Sequence, residues 1–269
     1  MPEANSISMQ FRDRGATTVA VFSHPNHEMA VFGLLQRLRP WLVFLTDGGG
    51  EERVKQTKRG LHQIGLLDRA VFVNHPEESF YEGLLQKNLR FFEEIKSLLG
   101  SLIRSSRPDQ ILCDAVEFYN PVHDMALPLV MGAVGIGGPI FEVPLVYQKD
   151  TGDEDREEYQ IQRAPPEWDK EQTLTPLTKD ELASKMQMFK GNYEILQDVV
   201  LNGLKCAPAE TSASEAVIRS RNPLREPEPS VILRYDWRAK KLLAAGKVKR
   251  IITRDDNYLP VAKALLELS

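Results

Sequence analysis

Two periods of apolar spacing alternate along the first half of the chain. Short β-branched or aromatic runs occur at residues 17–22 (TTVAVF), 41–46 (WLVFLT), 70–74 (AVFVN) and 110–114 (QILCD), and a fifth lies within 139–147 (PIFEVPLVY). Between them the apolar positions recur at three- and four-residue steps over 28–38, 52–64 and 85–103, the spacing of a helix with one buried face. Strands separated by helical crossovers predict an α/β fold: a doubly wound, mostly parallel, Rossmann-like sheet with helices on both faces. In such sheets ligands collect beyond the carboxyl ends of the strands, near the point where strand order reverses. The loops after strands one, two and four, beginning at Ser23, Asp47 and Ala115, are therefore the expected carriers of chemistry.

The second half is less regular. Residues 149–175 are rich in charge and proline and predict a surface excursion, whereas 179–204 carries Leu182, Met186, Phe189, Tyr193, Leu196 and Val200 at helical spacing. Four prolines within 207–230 predict a linker, and 248–253 and 259–268 a last strand and helix, an irregular α+β extension. We expect one α/β unit over residues 1–204, with 205–269 packed on it as that extension. Composition changes this picture little: 42% hydrophobic and 27% charged residues are enough for a sizeable core, and a formal charge of −4 with no basic run argues against nucleic acid as a partner. No apolar stretch suits a signal peptide or a bilayer span, so a cytoplasmic protein with no membrane partner is expected. Cys113 and Cys206 are too few for a disulfide framework and are expected to be reduced.

Candidate chemistry comes from the histidines. Of the five, His24 and His27 lie in the first selected loop, as Ser23-His24-Pro25-Asn26-His27-Glu28, and His123 follows strand four, in Glu117-Phe118-Tyr119-Asn120-Pro121-Val122-His123-Asp124. Strands one and four are expected neighbours, so the three imidazoles could converge on one ion. Three protein ligands with an open position is the pattern of a catalytic metal site. Neutral imidazole suits Zn²⁺, and also Fe²⁺. His62, inside a helix, and His75, before Pro76 at a strand end away from the switch point, carry no such case.

The segments VAVFSHPNHE, LVFLTDGGG, RVKQ and RPDQILCDAVEFYNPVHD resemble, in order and spacing, the PIG-L/LmbE-like family of zinc-dependent N-deacetylases. That family carries His-Pro-Asp-Asp-Glu, whose His and second Asp bind zinc and whose first Asp is the general base, and a His-x-x-His whose last His completes the metal site. The resemblance implies that His24 and His123 are ligands. His27 stands at the Asp ligand, Asn26 at the base, and Asn120 at the histidine that stabilises the oxyanion. An amide cannot take a proton at neutral pH, and general-base assistance is worth about 10²–10⁴-fold, so a substitute carboxylate is sought. Glu117 is the first candidate and Glu28 the second, with Asp124 orienting a ligand ring.

Asp47 and Gly48 of the Asp-Gly-Gly-Gly turn, Arg53 and Tyr119 are expected to contact substrate. The expected function is metal-dependent hydrolysis of a C–N bond in a small polar or sugar-like molecule, with homo-oligomerisation left open. A metal enzyme of other chemistry (lyase, isomerase or iron-dependent) and a non-catalytic binding protein are the alternatives.

Overall fold

The computed structural model describes residues 10–135, 137–153, 156–206 and 213–267. The chain start at 1–9 and the opening of the expected linker at 207–212 lie outside them. Strands β1 (Thr18–Phe22), β2 (Trp41–Thr46), β3 (Ala70–His75), β4 (Gln110–Asp114) and β5 (Ile140–Val143) pair in parallel, in the order β3-β2-β1-β4-β5. Strand order reverses between β1 and β4, where Val21 pairs with Cys113. Two further strands, β8 (Gln172–Pro176) and β9 (Ser214–Arg219), extend this sheet antiparallel to seven strands, with β9 between β5 and β8.

The period-two alternation in β1, β2 and β4 sorts side chains onto two faces. Val19, Val21, Val43, Leu45, Ile111 and Cys113 join one buried cluster, and Ala20, Phe22, Leu42, Phe44 and Leu112 another. On the first face lie α4 (Leu89–Ser106), through Phe92, Ile95, Leu99 and Ile103, and α9 (Leu259–Glu267), through Val261 and Leu265. Between them α6 (Ala126–Val134) is buried nearly all round, as its near-continuous apolar sequence requires. On the second face lie α1 (Phe32–Leu38) and, through Leu61, α2 (Glu51–Gln63). Among the described residues no helix is long and apolar enough to cross a membrane, and both cysteines are free.

Several elements differ from the sequence reading. The helix expected at 85–103 is two, α3 (Glu77–Gln86) and α4, broken at Lys87, which is left-handed at φ 52° before Asn88 caps α4. The segment 139–147 holds β5 and then β6 (Val146–Lys149), which leaves the main sheet to pair with β7 (Tyr159–Ile161) and β10 (Val231–Ile232) in a second, three-stranded sheet. The long helix at 179–204 is α7 (Lys179–Asn192), α8 (Glu194–Asp198) and a π-type turn Val199–Gly203.

Within the expected linker, β9 is a buried strand of the main sheet. It is polar where strands are usually apolar. Glu215 is buried and accepts from the amides of Gly33 and Leu34 and from Lys185 Nζ at 2.8–2.9 Å, so its charge is paired and its signal in sequence is inverted. The strand expected at 248–253 is not formed: the segment is irregular, with a bend at 249, and ends at Thr253, which caps the turn Arg254–Tyr258.

Candidate metal centre

At the switch point the first loop leaves β1 at Ser23. Asn26 takes the left-handed conformation, φ 80°, which asparagine tolerates better than most residues. Its amide and side chain both donate to Thr57 Oγ1, at 2.8 and 3.1 Å. That kink turns His24 and His27 the same way. After β4, Asn120 caps the one-turn helix α5 (Pro121–Asp124), its Oδ1 accepting from Val122 N at 2.8 Å with Pro121 at the first helical position. The turn presents His123 to the first loop. It is entered through Phe118 at φ 59°, a strained value for an aromatic residue. Asp124 holds that strain by accepting from the amides of Glu117 and Phe118.

The three imidazoles meet. His24, His27 and His123 each offer a nitrogen within 4.8 Å of the others, and all three are buried. His24 Nδ1 lies 3.1 Å from His123 Nε2. Two nitrogens held about 2.05 Å from a tetrahedral ion are about 3.3 Å apart, so this pair already has the spacing of two ligands. His27 Nδ1 lies 2.9 Å from Asp114 Oδ2, which also accepts from Ser23 N and Oγ, leaving His27 Nε2 for the centre. His24 Nε2 faces Glu77 Oε1 at 3.2 Å, at ion-pair distance without hydrogen-bond alignment. His123 Nδ1 is buried without a hydrogen-bond partner.

Electrostatics favour donor imidazoles. Burial, with the neighbouring rings and Arg53, holds His27 and His123 well below the ordinary histidine range, so both are neutral. Burial would raise Glu77, but the His24 ring, the Tyr81 hydroxyl and Arg53 outweigh it and hold the carboxyl at about 2. Asp114 goes the other way: burial raises it to about 7 against the pull of the Ser23 donors. Carboxylates beside the far nitrogens of two rings are the arrangement that fixes tautomer and raises ligand basicity at metal sites. The donor set therefore fits a divalent ion that accepts imidazole.

A cavity of about 210 Å³ opens on the rings. His24, Asn26, His27, Arg53, Asn120, His123 and Tyr119 line it, as does Glu77. Arg53 is fixed there by Nη1 donating to Gly48 O and Nε to Asn26 Oδ1. The two carboxylates sought as a substitute base do not reach the cavity. Glu117 accepts from the amides of Leu145 and Val146, both at 2.8 Å, and so pins the corner between β5 and β6. Glu28 lies behind His27, accepting from Tyr193 Oη at 2.9 Å, and burial raises it to about 7. Asp124 clamps backbone instead of touching the His123 ring.

Asp47 accepts from Gly49 N and Glu77 N at 3.0 Å, so it ties the second loop to the third. Gly48, at φ 65°, contributes its carbonyl to Arg53 and lies outside the lining. His62 is exposed on α2, and His75 packs edge-on against Phe80 and Phe91.

Sequence reasoning missed Glu77 and Asp114. Asp114 was legible as a lone acid closing an apolar strand. Glu77 was not, because the loop after strand three was set aside, although it too leaves a strand at its carboxyl end. Tyr81, whose hydroxyl donates to Glu77 Oε1 at 2.9 Å and lies 3.2 Å from Asn120 Nδ2, was missed with it.

No family model matches the chain, and no curated protein matches it in sequence. Solved structures do align with it. A deacetylase triple mutant of the teicoplanin biosynthetic pathway is 10% identical, covers 77% of this chain and 99% of its own, and gives a TM-score of 0.48. A conserved protein of Thermus thermophilus is 16% identical over 81% of this chain and 100% of its own, TM-score 0.45. The 4-carboxy-2-hydroxymuconate hydratase of Pseudomonas putida is 14% identical over 79% of this chain and 98% of its own, TM-score 0.42. Likeness at this level assigns no activity to the chain.

Proposed function

We propose that the protein is a metal-dependent hydrolase of N-acyl groups, built on a PIG-L/LmbE-like plan. The reading is carried by one observation: three buried imidazoles share a centre at the switch point of the sheet, with carboxylates behind two of them and a cavity in front. His24, His27 and His123 would hold Zn²⁺, with Fe²⁺ the other ion that a set of imidazoles accepts. A bound divalent ion supplies Lewis acidity, polarising an amide carbonyl and acidifying water.

The chain's own groups do the rest. Asp114 and Glu77 keep His27 and His24 in the donor tautomer. Arg53 presents a fixed positive charge to the cavity, suited to a developing oxyanion or an anionic substituent. Asn26 and Asn120 shape the polar rim, and Tyr119 and Tyr81 flank it. Glu77 is the carboxylate at the cavity wall, but its low proton affinity makes it an orienting group and a poor base. Turnover is therefore expected about 10²–10⁴-fold below that of an enzyme with a general base.

The test is hydrolysis of a panel of N-acyl amines and amino sugars by metal-replete protein. Cleavage that a chelator abolishes, metal restores and His123→Ala eliminates supports the reading. No cleavage across the panel at full metal occupancy overturns it. The amide at position 26, together with the low proton affinity of Glu77, the carboxylate the described residues place in the lining, also favours a second reading, a metal-dependent lyase. Iron as the dominant metal in protein purified without added ions would select it.

A further inference from the structure

Only one side of the cavity is polar. Its opposite side is built by Leu145 and Val146 at the corner between β5 and β6, Ile161 of β7, Leu196 of α8, and Val200 and Leu204 of the π-type turn and its end. Apart from Gln162, the side chains that 140–206 contributes to the lining are aliphatic. An amino sugar or other polyhydroxylated body would find only Gln162 to bond with there, and covering its other hydroxyls with this wall would cost their hydration.

Three further observations point the same way. Glu117, buried and charged or protonated at a cost either way, spends both oxygens on the amides of Leu145 and Val146, so a buried acid is committed to placing two aliphatic side chains at the cavity. The π-type turn at Val199–Gly203 closes the helical run that follows α7 where that run meets the cavity, and π-type turns recur at functional sites. Behind Ile161, Leu196 and Val200 lies a second, smaller void of about 20 Å³, bounded further by Met29, Met186 and Phe189 and, at a polar edge, by Gln162 and Lys185. The wall is thus backed by space and by thioethers, which adapt their shape readily.

We infer that the acyl part of the substrate is an unbranched or aromatic apolar group larger than acetyl, seated against the Leu145–Ile161–Val200 wall, while the amine part faces Arg53, Glu77 and Asn120. This inference rests on the hydrolase reading of the same site. Burying each added methylene is worth about 0.8 kcal/mol, about fourfold. Lengthening the acyl group from two to six carbons is then expected to raise kcat/KM about 10²-fold, with Glu117 acting as a positioning residue for the wall.

The experiment uses the full chain loaded with Zn²⁺. One amine is presented as its N-acetyl, N-butyryl, N-hexanoyl and N-octanoyl amides, and in parallel the affinities of the matching straight-chain hydroxamates are measured by calorimetry. A rise of about 10²-fold from two to six carbons in both series is the expected result. A rise in hydroxamate affinity without cleavage of any amide keeps the acyl site and overturns hydrolysis. Cleavage with acetyl preferred and a flat hydroxamate series overturns the acyl site and keeps hydrolysis.

Absence of hydroxamate binding at any length overturns the inference as well. Leu196→Asp and Ile161→Asp, both at half-buried positions, are each expected to flatten the chain-length gradient. Two variants guard against misfolding of either, and a gradient that survives in folded protein contradicts the assignment.

Discussion

The two walls of the cavity are held by different physics. The polar wall is set by hydrogen bonds at the carboxyl ends of β1 to β4: Ser23 and His27 on Asp114, Asn26 on Thr57, Tyr81 on Glu77, Val122 on Asn120. The aliphatic wall comes from 140–206 and is held by burial, with the Glu117 clamp as its main polar support. A directional network fixes the position of a few atoms, as an ion requires. A wall of aliphatic side chains fixes a volume and tolerates exchange, as a choice among substrates requires. Chemistry and selectivity are thus separable in this fold, and each can be perturbed without the other.

By effect on metal affinity, the largest change is expected from the ligands. His27→Ala or His123→Ala should weaken Zn²⁺ binding by more than the 10–100-fold typical of losing an outer partner, read by competition with a chromogenic chelator. Binding unchanged in either variant would remove the polar wall's purpose. Asp114→Asn and Glu77→Gln come next, each expected to lower affinity about 10–100-fold. An equal loss from Leu145→Ala would break the separation of the walls.

Glu28→Gln should change metal affinity little but should alter the dependence of stability on pH. The folded carboxyl is raised from 4.5 to about 7 by burial. Its contribution to stability is then fully present below about pH 4.5 and lost as pH rises through about 7, a total of roughly 3 kcal/mol. Urea unfolding of chelator-treated protein at pH 4 and pH 8 should show a smaller loss in the variant than in the wild type, by about that amount, since Asp114 and Asp124, also raised to about 7 by burial, lose stability over the same range in both. The smallest effect on the ion is expected from Val200→Ala, which should leave Zn²⁺ affinity within about twofold while costing folding stability of about 1–2 kcal/mol.

The same contrast explains what was legible in the sequence. The strand ends and the three histidines were readable because β1, β2 and β4 are short, nearly continuous apolar runs set between helical segments, so topology followed from that succession and the ligands from topology. Lys87 splits α3 from α4 by a left-handed turn that leaves the helical period intact on either side. β9 hid because Glu215, its buried polar residue, is satisfied by Gly33, Leu34 and Lys185, partners distant in sequence. Glu117 looked like a free acid in a selected loop, and only the fold shows Leu145 and Val146 brought to its oxygens. Burial, hydrogen-bond partners and long-range pairing decide these residues, and none of them leaves a local pattern.

The centre itself is tested most directly by anomalous diffraction at the zinc edge from crystals of metal-loaded protein. One peak is expected, about 2.0–2.1 Å from a nitrogen of each of His24, His27 and His123. A density map with zinc bound elsewhere, and His24 Nδ1 still in direct contact with His123 Nε2, would contradict it.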